Sequence, residues 1–441
     1  MRLYRSNTFM KNLTLLFLLT LSPLFLFAQE EKDHNLRYED HVYVDNIRSV
    51  KFILNGNVES YPFIPLDIRS NRNFISTLVL SFDEIGEEVT DYVYTLVHCD
   101  SEWKPSNISE AVYMDGFNED DVDNYDFSFN TTVNYTNYKI TLPNSEVSWT
   151  KTGNYLLKVY DNTDDRFLII TRRFVVYDPK VSVQGRMQRT AMVSKSRTHQ
   201  ELDFTVNHED LPLQNPQSDI KVVVLQNGRW DTAIKPIRAM FIKPNELIYD
   251  LQDKIVFPAG REFRQADLRT FNYNTNSIAE IRETRDRFDI TLTKDISRSN
   301  LAYLFNYDLN GKYVIQSLDE RDGDLRADYG YVLFILEESP PFSNHDVYLF
   351  GELTGWKTDE RYKMVYNPLI NAYVGQFFLK QGFYDYLYAV VDRDEPKVID
   401  FDELEGSWHE TENDYTVLVY YTPFGARYEQ VIAVAQFNSI R

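Results

Sequence analysis

The sequence predicts an all-β protein built of tandem β-sandwiches, and three observations carry that expectation. Apolar residues recur with strand periodicity: in "DYVYTLVHCD", Tyr92, Tyr94 and Leu96 fall on one face and Val93, Val97 and Cys99 on the other. A segment apolar on both faces suits a strand in the middle of a sandwich. Asn-Gly pairs stand at Asn55-Gly56, Asn227-Gly228 and Asn310-Gly311, where type I′ hairpin turns need positive φ at both central residues. Helical periodicity is nearly absent.

Taken in order, the chain opens with Arg2, Arg5 and Lys11 and an apolar run from Leu13 to Phe27. A charged start followed by an apolar run too short to span a bilayer reads as an export signal, residues 1–28, cleaved after Ala28. No cysteine lies near the cut, which excludes a lipid-modified anchor. No later stretch approaches the roughly 20 apolar residues of a membrane helix. The expectation is a soluble extracytoplasmic protein with no membrane span after signal cleavage.

Residues 36–178 form the first expected sandwich, with "YDFSFN", "YKITLP", "YLLKVYD" and "FLIITRRFVVYD" at short intervals and turn residues between them. One short helix is expected in "PSNISEAVYM", with Asn107 as cap and Glu110 reaching back. Pro179 closes that unit. A second β domain, 180–337, contains "VVVLQNGRW" and "YLFNYDLNGKYVIQSL". Pro340-Pro341 reads as a stiff linker before a last sandwich at 342–436.

Composition narrows the function. The single cysteine, Cys99, cannot form an internal disulfide, so stability must come from cores, for which 43% hydrophobic and 15% aromatic residues suffice. Cys99 is expected to be a small apolar core residue. The formal charge of −21 deepens when Arg2, Arg5 and Lys11 leave with the signal. Such a polyanion is repelled by nucleic acid and anionic lipid, so the expected partner is a protein and no nucleic acid. The seven histidines are scattered without metal-ligand spacing. Nucleophile elbow, phosphate loop and dinucleotide fingerprint are all missing. The expectation is no enzyme, no catalytic residues, no metal and no cofactor.

One segment invites contact. "DGFNEDDVDNYD" holds Asp115, Glu119, Asp120, Asp121, Asp123 and Asp126, with Phe117 and Tyr125 among them. The EF-hand order of ligands is missing, and in "DERDGD" Arg321 would occupy a ligand position. The default reading is a solvated loop; the rival is a partner-contact region formed by Asp115, Phe117, Asp120, Asp121 and Asp123, with Phe117 as its apolar anchor.

Long blocks of the chain resemble a known family. "YEDHVYVDNIRSVKFILNGNVESYPFIPL", "YTLVHCDSEWKPSNISEAVYMDGFNEDDVDNYDFSFN" and "GNYLLKVYDN" are similar to the first domain of the type IX secretion system plug protein family. The similarity continues through "IVFPAGREFRQADLRTFNY" and "EGSWHETENDYTVLVYYTPFGARYEQVIA", so that it covers Arg37 to Ala433. The resemblance implies a periplasmic monomer that docks on the very large outer-membrane translocon β-barrel. It closes the periplasmic mouth of that pore when no substrate-delivering partner is engaged. The system exports folded cargo and supports gliding motility in some bacteria.

The last domain resembles something else as well. "VYLFGELTGW" and "LKQGFYDYLYAVVD" look like an early-set (immunoglobulin-like) sandwich of glycan-binding modules, in which a tryptophan after the glycine stacks on a sugar. Trp356 holds that position, and it is expected to be a packing residue on a borrowed scaffold. Two function classes result: a pore-closing interaction protein, or a periplasmic glycan-binding protein using the last domain. The first resemblance spans three domains and the second spans one.

Overall fold

The computed structural model describes residues 35–67, 75–163 and 165–440; the expected signal at 1–28 lies outside the described residues. Strands dominate, as the two-residue alternation demands. Tyr92–Cys99 runs between Gly153–Asp161 and Glu119–Asp121, with Tyr155 opposite His98 and Val159 opposite Tyr94. It is a central strand because both its faces are apolar. A second sheet, Ile47–Leu54, Leu78–Ile85, Tyr135–Leu142 and Tyr125–Phe127, closes over the first. Phe82, Tyr138, Leu157 and Phe174 share the core between them. All three Asn-Gly pairs have positive φ at both residues, which hairpin turns of the expected kind require.

The expected helix forms, but as the single turn Glu110–Tyr113 capped at Ser109, two residues later than Asn107, and with no side-chain cap bond. Pro105 and the bridge from Cys99 to Pro105 keep the preceding residues extended.

Beyond the first sandwich the chain does not proceed domain by domain. Ser182–Arg189, His199–Asn207 and Glu246–Tyr249 form one sheet of the second sandwich. Its other sheet joins Ile220–Gln226 to Asp414–Tyr421 and Gln430–Asn438. The intervening chain builds an 11-stranded sheet whose two arms enclose the third core, including Leu268, Phe334, Leu349 and Tyr388. Strand pairing runs across the expected boundary between 180–337 and 342–436. Tyr329–Glu337, before Pro340-Pro341, and His345–Phe350, after it, belong to the same sheet. The prolines turn the chain without separating two bodies.

The sandwiches share buried surface. Tyr61, Phe63 and Val175 of the first form one cluster with Val223, Leu225, Leu418 and Tyr420 of the second. Between the first and third, Lys380 and Asp83 form an ion pair at 2.6 Å with side chains only 1% and 0% exposed. Tyr329 donates to the same carboxylate at 2.6 Å and Asn137 at 2.7 Å, so the buried charge is met by one cation and two neutral donors.

Candidate interaction surfaces

The acidic segment that the sequence singles out runs along one side of the first sandwich. Asp115 sits in Met114–Gly116, which pairs with Val147–Trp149. Gly116 makes that approach possible: its φ is +100°, and a Cβ there would lie 2.0 Å from the Glu146 carbonyl oxygen. Phe117 follows, 62% exposed. Asp120 and Asp121 lie in the edge strand Glu119–Asp121. Asp120 accepts from the Tyr94 hydroxyl at 2.9 Å, so it is fixed to the sandwich, whereas Asp115, Asp121 and Asp123 are exposed. Glu119 is held by Tyr160 at 2.5 Å and Arg166 at 2.9 Å, which keep its carboxyl below the usual range.

The structure shows Tyr125 of this segment exposed and adds Phe127 beside it. Tyr125 and Phe127 are 40% and 56% exposed because Tyr125–Phe127 is the last strand of its sheet. Their rings meet edge to face at 6.1 Å. Phe117, Tyr125 and Phe127 thus supply exposed aromatic area among carboxylates, a composition suited to a protein interface.

Trp356 lies elsewhere, at a seam between the second and third sandwiches. It is half-buried, with φ of 60°. Its ring meets Phe350 at 5.8 Å and Phe263 at 6.1 Å, and the Arg229 guanidinium lies 5.1 Å from the ring centre. Arg229 belongs to the hairpin that begins at Asn227-Gly228. The next residue, Trp230, packs edge-on against Trp103 of the first sandwich at 4.8 Å, and Arg173 lies over both indoles. Gly228 permits this because its φ is +68° and a Cβ would lie 2.3 Å from the Tyr61 ring. One four-residue turn therefore touches all three sandwiches. Nothing in the local sequence beyond the turn signal marks it.

The groups that could do chemistry are spent on structure. Cys99 is 0% exposed, and burial pushes its thiol up to about 12, so it carries no reactive thiolate at neutral pH. His98 is buried, lowered to about 4 by that burial, and bonds Ser106 Oγ at 2.8 Å and the Thr152 carbonyl at 3.0 Å. Among the described residues one acidic trio, Glu201, Asp203 and Asp250, brings three carboxylate oxygens together. The sequence did not mark it, because Asp250 lies far along the chain, just past the strand Glu246–Tyr249. Burial and the two neighbouring acids raise Asp203 to about 6. Three oxygens fall short of the six to eight that calcium takes, and Gln188 already donates to two of these carboxylates.

A family model described as the type 9 secretion system plug protein first domain matches residues 47–178. The crystal structure of a hypothetical protein from Parabacteroides merdae is 31% identical, with a TM-score of 0.85 over 92% of this chain and 100% of that one. No curated protein matches.

Proposed function

The chain belongs to the type 9 secretion system plug protein family, and from that premise we propose that it docks on the outer-membrane translocon barrel and closes its periplasmic opening. The family is a non-enzymatic component of the secretion machinery. In this proposal the protein works as a periplasmic monomer and blocks the pore by steric occlusion, with no cofactor and no energy-consuming step.

The observation that supports it best is the joining of the sandwiches. A steric block needs a body that does not open under load. Contacts between the first and third sandwiches include the buried Lys380–Asp83 pair, the Lys51–Glu352 pair and the Tyr313 hydroxyl on the Val50 carbonyl at 3.0 Å. The hairpin at Asn227 adds the second sandwich to both. Fold similarity to sugar modules supplies no comparable support for glycan binding, since a scaffold does not fix a function.

Phe117, Tyr125 and Phe127, with Asp115, Asp121 and Asp123 around them, form the contact edge in this proposal. Acidic groups steer the protein toward basic groups at the pore mouth, and the aromatics anchor it. Affinity purification of the chromosomally tagged protein from native membranes tests the docking. The proposal expects the large translocon barrel to co-purify and to be released as salt rises. A clean preparation without the barrel at low salt overturns it.

A further inference from the structure

The second sandwich carries the longest uninterrupted run of exposed large apolar side chains among the described residues. Met240, Phe241 and Ile242 follow one another and are 51%, 56% and 43% exposed. Such a run is unusual on a surface unless it has something to contact.

Local structure explains why all three face outward. Phe241–Ile242 is a short edge strand paired with Glu246–Tyr249, Phe241 opposite Ile248 and Ile242 opposite Leu247. Leu247 and Tyr249, each 1% exposed, already fill the core beneath it, so the side chains of the edge strand stay outside. The hairpin is nonetheless fixed. Met240 N donates to the Ile248 carbonyl at 2.8 Å, and Lys243 N to the Glu246 carbonyl at 2.8 Å. Residues 240–245 are all exposed.

Charge along this segment is the reverse of the molecule's. From Thr232 to Asn245 the chain holds Lys235, Arg238 and Lys243 and no acid, in a protein of net charge −21. Lys243 pairs with Glu246 at 2.8 Å. Lys235 and Arg238 are exposed, and among the described residues neither has an acidic partner. Asp250, just past the neighbouring strand, joins Glu201 and Asp203 instead. Glu209 and Asp210 follow His199–Asn207, which lies two strands in from Phe241–Ile242, about 10 Å at the usual strand spacing. Exposed charges are largely screened beyond ~8 Å at physiological ionic strength, so the acids elsewhere on the chain do not cancel these cations.

Apolar side chains beside unpaired cations seat amphipathic helices in membrane surfaces, and this hairpin presents the same composition on a turn. We infer that it sets Met240, Phe241 and Ile242 into the surface of an anionic phospholipid leaflet, with Lys235 and Arg238 on its phosphates. The charge of the whole chain predicts repulsion from such a lipid; this one surface reverses it. The choice of a leaflet rests on the docking reading above, because a protein at the periplasmic mouth of an outer-membrane pore stands beside one.

Vesicle binding by the purified full chain tests it, with vesicles containing phosphatidylglycerol against vesicles of phosphatidylcholine alone. Met240→Cys supplies one attachment point for an environment-sensitive fluorophore, because the buried Cys99 thiol stays unreactive. Val365→Cys, at a residue 66% exposed on the third sandwich, is the control. The inference expects binding to the anionic vesicles to be about tenfold or more tighter. The label on the Met240 variant should brighten and shift to the blue, and the label on the Val365 variant should not. Lys235→Gln and Arg238→Gln should each weaken vesicle binding about fivefold. Met240→Ser, Phe241→Ser and Ile242→Ser together should abolish it. No binding to the anionic vesicles, an equal response of the two labels, or unchanged binding by the triple serine variant overturns the inference. So does self-association of the unaltered protein that the triple variant loses, which would make the run an interface between copies. The vesicles contain no barrel, so their failure and a failure of barrel co-purification are separate results. The lipid comparison uses the unaltered protein and stands whatever the substitutions do to folding.

Discussion

Replacing Lys380 by methionine probes how firmly the first and third sandwiches are joined. Lys380 Nζ lies 2.6 Å from Asp83, donates to the Asp324 carbonyl at 2.7 Å and sits 4.0 Å over the Tyr135 ring. Burial lowers its pKa from the ordinary lysine value, opposed by the attraction of Asp83. Methionine fills similar space but leaves Asp83 with two neutral donors and no cation. Losing one partner of such a buried pair costs ~3–5 kcal/mol. At ~2.1 cal/mol/K per residue, about 400 residues melting together have an unfolding entropy of about 0.84 kcal/mol/K, so the midpoint should fall by about 4–6 °C. Asp83→Asn in the same chain removes the charge and keeps an oxygen for Tyr329. The double variant should therefore recover to within about 1.5 kcal/mol of the original protein, because paired replacement is far milder than orphaning one charge. Scanning calorimetry of all three proteins is the assay. A single variant that melts within ~1 °C of the original, or a double variant no better than the single, refutes the argument.

Asp385 and Asp308 are raised to about 8 and about 7, each chiefly by burial. Folded carboxyls raised above their unfolded values favour the protonated native state, so this stability is present at low pH and is lost as pH rises through about 7–8. Thermal midpoints should fall from pH 6.5 to 8, and Asp385→Asn should flatten that slope; an unchanged slope contradicts it. Below pH 6.5 the buried His98, lowered to about 4, acts in the opposite sense, and above pH 8 so does Lys312, lowered to about 8, which is why that window is chosen. Cys99 should resist a thiol reagent in the native state and react only on unfolding, as mass spectrometry would report; rapid native labelling would contradict its burial. Asp115→Asn, Asp121→Asn and Asp123→Asn together should slow association with the barrel more than they speed dissociation, by surface plasmon resonance, whereas Phe117→Ala should mainly speed dissociation. Unchanged rates in both variants would remove that edge from the interface.

What the sequence revealed and what it hid follow from how local each signal is. Tyr92–Cys99 was legible as a central strand because both its faces are apolar, and the Asn-Gly turns were legible because positive φ restricts composition. The interleaving of the second and third sandwiches was not, because Val224 finds Val417 as its neighbour across a long stretch of chain and no local pattern encodes that choice. Alternation in "YDFSFN" put Tyr125 and Phe127 on one face, but it cannot say that the strand ends a sheet and leaves that face in solvent. The join at Arg229 and Trp230 was hidden for a related reason: a turn signal fixes the bend and not what the bend touches. The sequence marks Trp356 only as an expected packing residue; that its ring lies beside Phe350, Phe263 and Arg229 required the folded chain.

The central claim is closure of the translocon, and permeability of the outer membrane tests it most directly. A strain lacking this protein should take up a large antibiotic that the intact outer membrane excludes, while cargo export continues, and the original gene should restore exclusion. Lys380→Met should restore it only below its own melting temperature. Unchanged sensitivity to large antibiotics in the deletion strain, with the translocon present at normal levels, would contradict the account.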